Sequence, residues 1–218
     1  MPLVLLQEST LARSWHTLQQ GMVDVVLAFP QQAVATRTVR STVILGSIAT
    51  LREAGHYDAW SAALDPAHRD TLLQAVAGVW LPLETALAYY DACDSLGLSS
   101  DAVAKLGGIT FGRVQGTLLG TVLRMANGAG VSPWTILPQL QRFWDRAYQG
   151  GAVQITQHGP KDAHLAVARC ALVDSHYYRH ALRGLTSSVL SLFCHKVYVQ
   201  ERAGPRPEGT LVLHAQWV

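Results

Sequence analysis

Apolar residues follow two different periods along this chain. Near its end, Leu211, Leu213, Ala215 and Trp217 alternate with Thr210, Val212, His214 and Gln216. That period of two predicts a strand with one buried face. The segment VYVQERAGPRPEGTLVLHAQW around it reads as a hairpin with a loop near Gly204 to Gly209. GAVQITQHGPKDAHLAVARCALV, from Gly151, reads as two more strands about a turn at His158-Gly159-Pro160-Lys161. Residues 175–192, between the two strand pairs, have helical spacing.

Upstream the helical period dominates. Residues 8–28 predict a helix with Leu11, Trp15, Leu18 and Met22 on one face. TRTVRSTVILGSIATLREAG predicts a strand near 37–45 that passes through Gly46 into a short helix. Asp65-Pro66 is a helix start, with Asp as N-cap and Pro in the first turn. Leu72, Leu73, Val76 and Val79 carry that helix to Trp80. Pro82 ends it, and a second helix covers Leu83 to Leu96. Ser99 caps a short helix to Leu106, with Gly107 at its C-terminal end. Ser132-Pro133 starts another that ends before Gly150-Gly151. Helices followed by a strand pair, a helix and a strand pair predict an α+β fold, with helices packed on an antiparallel sheet. Residues 1–35 read as an apolar, helical N-terminal extension and 36–218 as the main domain.

One stretch breaks the ordinary rules. GGITFGRVQGTLLG places Gly108, Gly112, Gly116 and Gly120 four apart. Each glycine costs a helix interior roughly 1 kcal/mol relative to alanine. On a helix at about 100° per residue, Gly112, Gly116 and Gly120 make a bare flank. Phe111, Val114, Leu118, Val122 and Met125 make a bulky one, with Leu119 and Leu123 between. This predicts a central, buried helix. The bare flank admits close packing within the chain, a homodimer contact, or an apolar ligand. Gly108, Gly112, Gly116, Gly120, Phe111, Leu119 and Leu123 are therefore the candidate pocket or interface residues.

Composition narrows the function. Of 218 residues, 49% are hydrophobic and 15% charged, and the net charge is +2. The basic residues form no long run, which argues against a nucleic-acid grip. No apolar stretch reaches the length of a membrane span, and Met1–Leu6 is followed by no signal-peptide pattern. Cys93, Cys170 and Cys194 are odd in number and far apart, so the expected setting is the cytoplasm, with free thiols.

His176 and His180 stand four apart on a predicted helix and are weak metal candidates, since no further ligand pattern accompanies them. Cys194-His195 are adjacent, but on a strand they would point to opposite faces. No GxSxG, P-loop or GxGxxG occurs. An enzyme built on the histidines of 158–195 is the least supported function, because no acid–base pair at a telling spacing goes with them.

VILGSIATLREAG, VWLPLETALAYYDAC, the Leu106–Gly116 segment, and HYYRHALRGLTSSVLSLFCHKVYVQ followed by LVLHAQW together resemble a known superfamily. It groups haem-based nitric-oxide sensor domains, TRAPP vesicle-tethering subunits and 4-vinyl-reductase-type ligand-binding domains. Within it, the chain is most similar to an uncharacterised myxobacterial paralogous family. The resemblance implies an α+β ligand-binding-type domain with an apolar pocket between helices and sheet. In relatives that pocket holds haem or an acyl chain, or is filled by side chains, and many relatives dimerise. The haem branch carries a Tyr-x-Ser-x-Arg motif. It falls here on Leu172, Asp174 and His176, or in a shifted frame on Tyr178, His180 and Leu182, and neither frame matches. No haem-binding residue carries over, and the cofactor is left unassigned. The expectation is a non-catalytic binding or regulatory domain for an apolar small molecule or acyl chain. The alternative is a ligand-free assembly subunit, homo-oligomeric or bound to a protein partner.

Overall fold

The structure is a computed structural model and describes residues 23–113, 131–204 and 207–218. Five antiparallel strands form the main sheet: β1 (Asp24–Leu27), β5 (Ala152–Gly159), β6 (Asp162–Ala168), β8 (Leu211–Trp217) and β7 (Val197–Glu201), in that spatial order. A small second sheet sets β2 (Thr38–Arg40) between β3 (Trp80–Pro82) and β4 (Tyr148–Gln149). The helices are α1 (Ser41–Glu53), α2 (Tyr57–Ala63), α3 (Pro66–Leu73), α4 (Leu83–Asp94), α5 (Ser100–Arg113), α6 (Leu140–Ala147) and α7 (His176–Leu190). The predicted α+β class is the observed one.

The sheet follows the period of two. Leu211, Leu213, Ala215 and Trp217 are buried, as are Ala163, Leu165 and Val167 on β6. Asp65 caps α3 by accepting from the Ala67 amide at 2.9 Å; Ser132 and Thr135 form a reciprocal cap on a 3₁₀ turn, Pro133–Thr135, and the α-helix expected from there begins only at Leu140.

Four further local expectations are corrected. The helix expected over 8–28 gives way at Asp24–Leu27 to a strand on the edge of β5; its earlier part lies outside the described residues. Helix α1 starts at Ser41, where the local pattern predicts a strand to residue 45. Ser41, Ile44, Ser47, Ile48 and Leu51 are buried at helical spacing, and that burial outweighs the strand preference of Val43 and Ile44. Helix α3 stops at Leu73 short of Trp80. Val76 and Val79 are exposed, and Gly78, with φ of +88°, turns the chain so that Trp80–Pro82 pairs with β2. Finally, α5 does not end at Gly107 but runs on to Arg113.

The reason Gly107 lies inside a helix is its neighbour. Helices α5 and α7 run side by side in the same direction, with Ser100 beside His176 and His180, Ala104 beside Gly184, and Gly108 beside Ser188. A Cβ on Gly107 would collide with the backbone of Ala181, 2.6 Å from its Cα. One on Gly184 would collide with the backbone of Ala104, 2.8 Å from its Cα. One on Gly108 would meet the Ser188 hydroxyl at 2.7 Å. The two backbones therefore touch, and Arg183 closes the N-terminal end by donating to the Ser100 carbonyl and to Asp101.

Candidate functional site

Between these helices and the inner face of the sheet lies an apolar cavity of about 190 Å³. The sheet supplies Val153, Leu165, Val167 and Leu213, all from the buried register of their strands. Helix α6 supplies Leu140, Phe143, Trp144 and Ala147; α7 supplies Leu182, Leu185, Thr186 and Val189. Val43 of α1, Thr110 and Phe111 of α5, and Tyr148 also line it among the described residues. Enclosed cavities of comparable size with apolar walls stay dry and bind small apolar molecules such as benzene.

A smaller cavity of about 40 Å³ adjoins it and shares Val43, Thr110, Tyr148, Leu182 and Leu185. Ser47, Tyr90 and Tyr178 line this second space. Tyr90 meets Tyr178 edge-on, with ring centres 5.0 Å apart, and Trp144 stacks on Tyr148 at 4.2 Å. Burial pushes the phenols of Tyr90, Tyr148 and Tyr178 well above their ordinary range. They stay protonated and can only donate or accept hydrogen bonds. The buried Tyr178 hydroxyl makes no hydrogen bond of full geometry among the described residues, and its polar neighbours are the Tyr148 hydroxyl and the Cys170 thiol. A poorly satisfied buried hydroxyl costs up to about 1–3 kcal/mol, so an acceptor of better geometry than Tyr148 would be favoured there.

The positions singled out from sequence fall in different places. Phe111 lines the cavity. Gly108 faces Ser188 of α7. Gly112 is half-buried near the end of α5. Gly116, Gly120, Leu119 and Leu123 lie outside the described residues. His176 and His180 point their Nε2 atoms at the Ser100 hydroxyl, at 3.2 and 3.1 Å, and do not line the cavity. Asp94 and Ser175 hold the start of that helix. The carboxylate accepts from the His176 and Tyr177 amides at 3.2 and 2.5 Å, and the hydroxyl from the Tyr178 amide at 3.1 Å. Cys93 and Cys170 are buried, with their thiols pushed up by desolvation. Cys194 contacts the Leu190 and Lys196 carbonyls, and burial raises its thiol too, so it is no activated nucleophile.

Most of the wall carries no mark of a site in the sequence. Leu140, Phe143, Trp144, Leu182 and Leu185 signal apolar faces, but nothing marks those faces as enclosing space. Tyr178 carries no signal, because how well its hydroxyl is paired is visible only once its neighbours are placed.

No family model and no curated protein matches the chain. Solved structures do resemble it. The Fe(II) unliganded H-NOX protein of K. algicida aligns over 82% of this chain and 96% of its own, at a TM-score of 0.58 and 8% identity. A point mutant of the T. tengcongensis H-NOX aligns over 82% and 97%, at 0.54 and 9%. An H-NOX structure solved to probe haem distortion gives 82% and 94%, at 0.55 and 12%.

Haem is the group this fold implies, and the cavity does not suit it. Haem iron needs an axial His, Cys, Met or Tyr, and its propionates need cationic or N–H partners. Among the described lining residues there is no imidazole, thiol, thioether or guanidinium. Tyr148 is the one side chain of ligand type, and its burial favours the protonated phenol. What the chain shares with H-NOX proteins is therefore the fold.

Proposed function

We propose that this domain binds a compact, haem-free apolar molecule in the cavity between α5, α6, α7 and the sheet, and acts by binding rather than by catalysis. The observation that carries this reading is the apolar cavity, with the imperfectly paired Tyr178 hydroxyl on the space adjoining it. The ligand is a molecule of about six to twelve heavy atoms, a size in keeping with cavities that take benzene, with one hydrogen-bond acceptor for Tyr178. Among the described residues, the ionisable side chains lining the two cavities are phenols held neutral, which supports binding without acid–base chemistry. Resemblance to nitric-oxide sensor domains supports a regulatory role, in which occupancy shifts the packing of α5 and α7.

Ligand-observed NMR with acetophenone, an aromatic ketone, tests this on the purified chain. Saturable binding is expected. Tyr178→Phe should weaken it, and Ala147→Phe, which fills the cavity, should abolish it. Binding unchanged in Ala147→Phe, or no binding of acetophenone or of its hydrocarbon analogue ethylbenzene, would refute the assignment. A Soret band at protein stoichiometry on titration with hemin would refute the haem-free part alone.

A further inference from the structure

The outer face of the main sheet is unlike the inner one. Strand alternation places Asp162 and His164 side by side on it from β6, and His214 and Gln216 from β8. The register sets Asp162 opposite Gln216 and His164 opposite His214. His214 Nε2 lies 2.9 Å from Asp162 Oδ1, and Gln216 Nε2 donates to Asp162 Oδ2 at 2.8 Å. The His164 and His214 rings are 4.9 Å apart. One donor atom from each of Asp162, His164 and His214 lies within 4.8 Å of the other two. On β5, a register shift between Gln157 and Gly159 accompanies a further imidazole, His158, tilted against His164 with ring centres 3.9 Å apart.

We propose that Asp162, His164 and His214 form a binding site for a divalent first-row transition ion of the zinc class. Two imidazoles and a carboxylate are the donor set such ions take. Bonds of about 2.0–2.1 Å in a tetrahedron put donor atoms about 3.3 Å apart, so small side-chain rotations suffice to close the site. The ligands stand on paired central strands, which fix their spacing. Gln216 already holds the second carboxylate oxygen, the outer hydrogen bond that orients a ligating carboxylate. A three-ligand set leaves a position for water or for His158. All three ligands are half-buried on the outer face, so the ion enters from solvent. The site lies on the opposite side of the sheet from the cavity and does not depend on its ligand.

The test uses the tag-free full chain, stripped with EDTA and titrated with ZnCl₂ by calorimetry and with CoCl₂ by visible absorption. One ion per chain is expected, with the visible bands of a low-coordinate Co²⁺ site. His164→Ala, His214→Gln and Asp162→Asn should each weaken Zn²⁺ binding at least about tenfold, with melting curves confirming that each variant is folded. The double variant His176→Ala/His180→Ala should bind as the wild type does. Absence of saturable binding overturns the proposal. So does binding that survives all three ligand substitutions, or binding lost in the His176/His180 variant instead.

Discussion

Replacing Gly184 by alanine pits two known effects against each other. Helix propensity alone predicts that Gly184→Ala, in the middle of α7, stabilises the protein by about 1 kcal/mol. The structure predicts the opposite sign. The new methyl would lie against the backbone of Ala104, 2.8 Å from its Cα, where ordinary carbon contacts are about 3.5–4.0 Å. A peptide unit inside a helix cannot rotate away, so α5 and α7 must part by roughly 1 Å along their contact. Overpacking of this kind costs about 1–3 kcal/mol. Against main chain that cannot turn aside the cost takes the upper part of that range, about 2–3 kcal/mol, so after the propensity gain the net change is a destabilisation of about 1–2 kcal/mol, or roughly 2–8 °C in melting temperature at this chain length. Gly107→Ala meets the Ala181 backbone and should behave alike. Gly108→Ala is the internal control. Its methyl meets the Ser188 hydroxyl, which can turn aside, so propensity should win and the variant should be neutral or more stable. Urea unfolding of the three variants measures all of this. If Gly184→Ala and Gly107→Ala match or exceed the wild type in stability, the backbone contact between the helices is wrong.

Other expectations follow from single contacts. Ser175→Ala removes the cap on the Tyr178 amide and should cost about 1 kcal/mol in chemical denaturation. Asp94→Ala leaves two amides at the start of α7 without their carboxylate and should cost about 1–3 kcal/mol; a neutral result would mean water replaces it fully. His164 has its pKa lowered by partial burial first, then by His158, His214 and Arg202, against the opposing pull of Asp162. In metal-free protein its contribution to stability is therefore whole above the ordinary value of 6.5 and shrinks as pH falls through the lowered one. Comparing wild type with His164→Gln from pH 8 to 5 should show the difference shifting against wild type on acidification; a shift the other way would reverse the assigned sign.

Legibility varies with how local the determining physics is. Strands β5, β6 and β8 are readable because burial on one face imprints a period of two within each strand. Asp65 and Ser132 are readable because a cap acts over three residues. Ser41–Glu53 and Trp80–Pro82 mislead a local reading because β2 decides them. It takes Trp80 and Tyr148 as strand neighbours from 40 and more than 100 residues away. The glycine run declares that something comes close. That α7 meets Gly107 and Gly108 requires knowing that Ala181 and Gly184 sit opposite. The cavity draws its wall from many helices and strands, so no segment carries its signature. The Asp162, His164 and His214 group needs the β6–β8 register, which joins residues 50 and more apart in sequence.

The backbone contact between α5 and α7 also limits how this sequence can drift. Ala104, Gly107, Ala181 and Gly184 share one fixed amount of room. A methyl gained at 107 or 184 meets main chain on the other helix, which no loss of a side chain there removes. Ala104→Gly alone should not rescue Gly184→Ala, because the clash is with the Ala104 main chain rather than its methyl. Among descendants of this chain, glycine at 107 and 184 is expected to stay. Those two positions are the ones by which a distant homologue of this protein would be recognised.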